Sequence, residues 1–574
     1  MIRRFFFSSF TLVFWAFQIE STLSDVAPET VTFNQHIAPI LLEHCAPCHR
    51  EGMSAPFQLL TYEDTRRRAK QIKEVTESKY MPPWLPEPVD GGFKHERGLS
   101  DQQIRLIKSW FDTGSKEGDD IVPPSIPDWP GDWQLGEPDL IASMPNDYSL
   151  QAEGRDIYRN FVLKVPITKP LYVKELEFHP ENARVVHHAL IYIDSTRQSQ
   201  RRDNADPKPG FGGMRVPMSA GMPEGQFLSW QPGKIYSKSD NSIPWMLQPG
   251  TDLVIQVHMN PTGKVEDFSC SVGLHFTETP PSSIPYKIKL TSLAIDIPSE
   301  TSFYRVKDSM QLPVDVQLTR ILPHAHYLCK RMEGYAIFPD GSKKRLILIK
   351  NWDFNWQGDY IYETPIKLPK GTVLHMDYTY DNSTGNLANP HSPPKKVTYG
   401  PESSDEMAEL WFQFILNSLE DRKKFKEKVR LKNKQVLIQF GQSTLASETN
   451  DPDLLLITAQ AHLAAGDQKA AFRAFSRVVR LDPKRFNAWF NIGTMLRSSG
   501  QDDAAKQAFG NVIRIDPNDA EAYGSLGIIF QEEGKLEPAE KCFRAALRLN
   551  PTDQIAANAL LQILEKRRNQ VNEP

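Results

Sequence analysis

The sequence predicts a multidomain chain: a small α-helical unit, two β-sandwiches in tandem, and a C-terminal α-solenoid. Three observations predict it. From Pro138 to Glu420, short runs of Val, Ile, Leu, Phe and Tyr alternate with Pro/Gly/Asn/Asp turns, with no long helical pattern. From Asp451 onward, four residue types recur together with one period. Ahead of both lies a separate segment, closed by an amphipathic helix and followed by a proline-rich stretch. At 574 residues the chain is too long for a single hydrophobic core.

The first residues, Met1-Ile2-Arg3-Arg4, precede an apolar run from Phe5 to Phe17 and small or polar residues to Ser24. This is the charged and apolar pattern of an export signal, residues 1–24, and the expected location is periplasmic or secreted. The apolar run is short of the roughly 20 residues a membrane span needs, so an uncleaved anchor is the lesser alternative. Residues 31–119 form the first domain, and Leu99 to Gly114, with Ile104, Ile107, Trp110 and Phe111, reads as its closing helix. Residues 120–137, with Pro123-Pro124-Ser125-Ile126-Pro127, have the composition of a linker.

Within the first domain, Cys45-Ala46-Pro47-Cys48-His49 is the pattern of covalent c-type haem attachment. Thioether bonds to Cys45 and Cys48 would fix the porphyrin, and His49 would be the proximal ligand. A redox Cys-x-x-Cys is disfavoured by the adjoining His49 and the lack of a βαβ pattern. A zinc site is disfavoured because His36, His44 and His95 lack matching spacing. An electron carrier wants methionine as the sixth ligand. Met81, in Tyr80-Met81-Pro82-Pro83-Trp84, is preferred to Met53, which is too close behind His49 to reach the opposite face. The segment resembles small class I c-type cytochromes, although the loop to the distal methionine is short.

The β-rich region divides into sandwiches at 138–288 and 289–420, and it holds an ordered series of candidate ligands. His187-His188 lies in an apolar strand. Neighbours on a regular strand point to opposite faces, so both reach one metal only if a bulge or strand end redirects one. His258 ends the strand Asp252-Leu253-Val254-Ile255-Gln256-Val257-His258. His324 and His326 share one face of a strand. Met407 follows in Ser403-Ser404-Asp405-Glu406-Met407, and Met376 is the rival thioether. Imidazole suits both oxidation states of copper, and a thioether favours the cuprous one. His179, His275, His375 and His391 have no place in the series and read as strand or loop residues.

This order resembles the copper type II, ascorbate-dependent monooxygenases, which include peptidylglycine α-hydroxylating and dopamine β-monooxygenases. The resemblance covers about Pro138 to Glu420 and implies two jelly-roll-like sandwiches, each holding one copper. It implies His187, His188 and His258 as ligands of an electron-transfer copper. It implies His324, His326 and Met407 as ligands of the catalytic copper, where an organic small molecule would be hydroxylated with O2. The electron donor would be ascorbate or the fused haem. Departures bear on substrate. Leu322 replaces a carboxylate-binding arginine, and Glu409 and Trp411 replace asparagine and tyrosine, which disfavours a peptide carboxylate. Glu409 would suit an amine or hydroxylated substrate instead.

Residues 421–450 are a charged connector, read as a solvated helix or hinge. In residues 451–568, Gly466/Gly500/Gly534, Pro483/Pro517/Pro551, Ala471/Ala505/Ala539 and Phe475/Phe509/Phe543 recur every 34 residues. This resembles the tetratricopeptide repeat: three repeats and a closing helix, with a concave face suited to a protein partner. The 67 basic and 71 acidic residues, a net charge of -4, argue against a nucleic-acid partner. Of five cysteines, Cys270 and Cys329 are candidates for a disulfide. The reading opposed to an oxygenase is a non-catalytic copper and haem scaffold that recruits partners through its repeats.

Overall fold

The structure, a computed structural model, describes residues 30–572 except 54, 119–120, 128, 130–132, 155, 215, 218, 237–242, 401, 444–448 and 552. The expected export signal lies outside the described residues. No described helix is long and apolar enough to cross a membrane. The chain divides into two compact units, one of residues 1–46, 59–82 and 98–126, the other of residues 47–58, 83–97 and 127–574.

The first unit is helical. Its main helices are Ala38–His44, Ala69–Glu77 and Asp101–Asp112. The last is the expected closing helix, and it starts where Ser100 and Gln103 form a reciprocal capping box. Ile107 and Trp110 turn inward and are fully buried. The Trp110 indole donates to Lys116 O at 2.9 Å, so its one polar group is satisfied. Cys45 caps the first helix, and Met81 follows the second with its backbone N–H on Val75 O at 3.0 Å.

The second unit begins, in chain order, with two β-lobes. In the first lobe a four-stranded antiparallel sheet contains Leu140–Ser143, Cys270–Thr277, Leu171–Pro180 and Trp245–Leu247. A five-stranded sheet orders Phe211–Gly212, Ile157–Lys164, Asp252–Met259, Val186–Asp194 and Ser229–Trp230. The two share one core, including Phe161, Phe178, Ile191, Ile255 and Leu274. The end of the linker joins this lobe: Trp133 and Leu135 are buried, and the backbone N–H groups of Gln134 and Leu135 donate to Glu177 at 2.8 and 3.0 Å.

In the second lobe one sheet orders Ile284–Thr291, Glu409–Leu416, Val316–His324 and Tyr360–Leu368. The other orders Thr301–Gln311, Val373–Asn382, Cys329–Ile337 and Lys343–Ile349. A second core fills the space between them, and Met376 belongs to it. The rival thioether is therefore a packing residue. The Cys270–Cys329 disulfide does not form, because the two thiols lie in the cores of separate lobes. Of the two readings of the connector, the helix holds and the hinge does not. The connector is a 23-residue helix, Leu419–Gly441, that buries Phe425 in the second lobe and buries Phe440, so it is a packed element, not a hinge.

The solenoid follows as the helix pairs Pro452–Ala465/Gln468–Leu481, Phe486–Ser498/Asp502–Ile515 and Ala520–Glu532/Leu536–Leu549, closed by Gln554–Asn572. Gly466, Gly500 and Gly534 sit in the turns inside the pairs, with φ of 87°, 75° and 75°, the left-handed conformation that makes glycine the periodic residue there. Ala471, Phe475, Ala505, Phe509, Ala539 and Phe543 are buried between helices, as the period requires.

Candidate metal centres

The strand Val186–Asp194 pairs with Asp252–Met259, and the pairing skips one residue. Val186 faces Met259 and His188 faces His258, which leaves His187 as a bulge. The bulge supplies the redirection that adjacent histidines need. Ligand atoms of His187, His188 and His258 lie within 4.8 Å of one another. The Nδ1 atoms of His187 and His188 are 3.0 Å apart. His258 is held from two sides: Tyr158 stacks on it at 4.2 Å, and its Nε2 donates to Asp156 at 3.1 Å.

That donation leaves the other ring nitrogen of His258 as the lone-pair donor. His258 Nδ1 is buried without a hydrogen-bond partner among the described residues, and so is His187 Nε2. Unsatisfied buried imidazole nitrogens are costly unless something else satisfies them, and a metal cation does so. Burial, then the neighbouring His258, lowers the His187 pKa to about 4 and holds that of His188 well below the usual imidazole range. Both rings are therefore neutral, the form that binds metal.

The second group lies at the end of Val316–His324. His324 Nδ1 meets Gln357 Oε1 at 2.5 Å, and His326 Nδ1 meets Asp405 O at 3.1 Å. Both acceptors are oxygens, so each Nδ1 carries the proton and each Nε2 carries the lone pair. Burial, then His324, lowers the His326 pKa to about 3. The backbone of Met407 is tied to that of His326 by its neighbour. Glu406 is completely buried and accepts from the backbone N–H of His326, from Leu328 at 3.0 Å and from Met407 at 2.9 Å. Burial pushes its carboxyl up to about 8 against the pull of those donors.

Phe354 touches both groups. It stacks on His187 with ring centroids 5.1 Å apart and meets His326 edge-on at 5.6 Å. Beside it a cavity of about 410 Å³ opens between the lobes, lined on one side by His187, His188, Leu190 and Trp230 and on the other by Leu322, His324 and Trp411. Alternation explains the lining. On Val186–Asp194, Ala189 and Ile191 enter the core while His188, Leu190 and Tyr192 face the cleft.

The structure revises the reading of Glu409. Burial would raise its carboxyl, but Lys289 and His324 hold it below the usual range. Its two oxygens accept from Lys289 Nζ at 2.5 Å and Trp411 Nε1 at 2.9 Å. The charge is already paired and is not an open site for an amine.

For the haem motif, His49 Nδ1 donates to Phe57 O at 3.0 Å, which fixes the tautomer with its lone pair on Nε2. Cys48 is half-buried, and burial raises its thiol despite Arg97 and Arg50. The histidines outside the series behave as strand and loop residues. His375 stacks on Tyr335, and His391 contacts Ser404 O. Sequence reading missed Asp156, Gln357, Phe354 and Glu406. Only Glu406 carried a signal, by standing next to Met407.

Comparison with known proteins speaks to the solenoid. Residues 456–520 and 520–553 match tetratricopeptide repeat families. Such arrays bind protein partners. The chain is similar to the Arabidopsis OM64 TPR domain at 18% identity, covering 20% of this chain and 94% of that one, with a TM-score of 0.19. It is similar to YrrB, a TPR protein with an unusual peptide-binding site, at 22% identity, covering 23% and 68%, with a TM-score of 0.21. The first TPR of Spaghetti, bound to an HSP90 peptide, gives 19% identity, 20% and 93% coverage and a TM-score of 0.20. No curated protein matches the chain.

Proposed function

We propose that the chain is an exported copper-dependent monooxygenase that hydroxylates a C–H bond of an organic substrate with dioxygen. The observation that carries the proposal is the convergence of three imidazoles, two of them with buried nitrogens that no described protein atom satisfies. In this reading the lobes are jelly-roll-like sandwiches of the copper type II monooxygenase kind. His187, His188 and His258 hold one copper, and His324, His326 and Met407 hold the second. Copper supplies one-electron redox chemistry at both, and the thioether favours its cuprous state at the second.

The residues around the ligands do the remaining work. Asp156 orients His258, Gln357 and Asp405 orient His324 and His326, and Glu406 ties His326 to Met407. The aromatic lining displaces water from the substrate. In the same reading a c-type haem is attached through Cys45 and Cys48, with His49 and Met81 as axial ligands, and supplies electron transfer. The reductant is ascorbate or an external donor acting through the haem.

The test is oxygen uptake by copper-loaded, reduced protein with pools of small organic molecules, with products screened by mass for a gain of one oxygen. Uptake that His324→Ala and Met407→Leu abolish supports the enzyme. No uptake with any pool favours the second reading, a non-catalytic scaffold, which the tetratricopeptide matches make worth testing. Rapid mixing tests the haem's part: haem that stays reduced when copper and oxygen are present excludes it as internal donor.

A further inference from the structure

The charged side chains lining the interlobe cavity are Asp359, Glu409 and Lys287. Asp359 is paired with Lys234 at 2.7 Å and Arg320 at 2.8 Å, and Glu409 with Lys289. Lys287 has no carboxylate within ion-pair distance among the described residues. Its Nζ donates to Gln226 O at 2.8 Å and lies 3.4 Å from the Met222 sulfur, a weak acceptor. The rings of Phe227 and Trp411 lie 5.3 and 5.9 Å from it. An ammonium has three donors, and these neighbours leave two of them without a strong acceptor. Burial lowers its pKa to about 8, so it remains charged at neutral pH.

A second donor lacks an acceptor in the same cavity. Gln357 gives its Oε1 to His324, and its Nε2 is buried without a partner among the described residues. The cavity is otherwise mostly apolar, walled by Leu190, Trp230, Leu322 and Trp411. Register sets the distance between the two donors. Across the sheet His324 faces Glu409, which faces Thr291, and Lys287 stands four residues before Thr291 on the same strand. Lys287 therefore lies roughly 13 Å along the strands and about 10 Å across them from His324, measured at the backbone.

We propose that Lys287 anchors the anionic end of an elongated, otherwise apolar organic acid whose far end reaches His324. This rests on the oxygenase reading for what happens at His324, but the anchoring stands on the cleft alone. The Gln357 amide is the donor available to an acceptor atom near that far end. Neutral and cationic molecules of the same shape are discriminated against, because they leave the Lys287 ammonium without an acceptor or add a like charge beside it.

The experiment is calorimetric titration of full-length, metal-loaded protein with 6-phenylhexanoate, 6-phenylhexanamide and 6-phenylhexylamine, repeated after chelation. The acid should bind at least about tenfold more tightly than the amide in both states, the scale of a charge-assisted hydrogen bond. Lys287→Met should remove that preference while amide binding persists, which shows the cleft intact, and Lys287→Arg should keep it. Equal binding of acid and amide overturns the proposal, as does a preference that survives Lys287→Met. A preference that vanishes on chelation also overturns it, by putting the anion on the metal. Oxygen uptake on the same samples separates the two ideas: absent uptake with intact acid preference sinks the oxygenase and leaves the anchor.

Discussion

At the residue scale, which imidazole nitrogen is left free for a ligand is set by what the opposite ring nitrogen does. His258 gives Nε2 to Asp156, whereas His324 and His326 give Nδ1 to oxygen acceptors. Asp156→Asn should lower copper affinity at the first group by about 10–100-fold, measured by competition with a chromophoric chelator, while the second group keeps its metal. Asp359 belongs to a different class. Burial raises its carboxyl, but Lys234 and Arg320 together hold it at about 2. The folded carboxylate thus adds stability that is fully present above the unfolded value of about 3.9 and is lost as pH falls from there through about 2. Asp359→Asn should cost roughly 3–5 kcal/mol in denaturant unfolding near neutral pH, because Lys234 and Arg320 would be left buried and uncompensated. The candidate residues and their order were legible in the sequence. The tautomers were not, since Asp156 and Gln357 lie 102 and 33 positions from the rings they orient.

At the element scale, the bulge at His187 makes two adjacent side chains act together. Its need could be inferred from the pair of histidines, but its place could not, because register depends on the partner strand. Deleting Val186 should let the strand pair regularly and turn one histidine away. The expected result is loss of copper at the first group, read by metal analysis, with far-UV circular dichroism little changed. In the solenoid, the 34-residue period was legible because turn glycines and packed aromatics each have one role. Gly493 and Gly527 extend the rule. A Cβ there would come within 2.9 Å of Phe509 and 2.7 Å of Phe543. Gly527→Ala should therefore cost about 1–3 kcal/mol of solenoid stability, visible as a lower midpoint in thermal unfolding. The packing of the connector helix was missed because its charge hides spaced apolar residues. Phe425, Val436 and Phe440 are buried, as is Lys432, which pairs with Asp308, while Lys423, Lys424, Lys426 and Lys434 face water.

At the scale of the whole molecule, the chain keeps separate cores in the two lobes and in the solenoid. Calorimetry should show more than one transition. Copper should raise the transition of the lobes and leave that of the solenoid nearly unchanged, because a ligand stabilises only the part that binds it. A single transition moving as one with copper would mean the solenoid is coupled to the lobes, through the packing of Phe440 and Leu454 with Leu293 and Tyr399 and the contacts of Arg202 with Asp516 and Gln198 with Asn518 O. The hold of Glu406 on His326, Leu328 and Met407 has a consequence for how such a chain can change over time. His326 and Glu406 are 80 positions apart, yet one carboxyl group sets their spacing in three dimensions. Insertions and deletions in the turns between them can accumulate without moving the backbone of Met407 away from that of His326. A change at Glu406 itself is not absorbed, so this position should stay invariant while the loops drift in length.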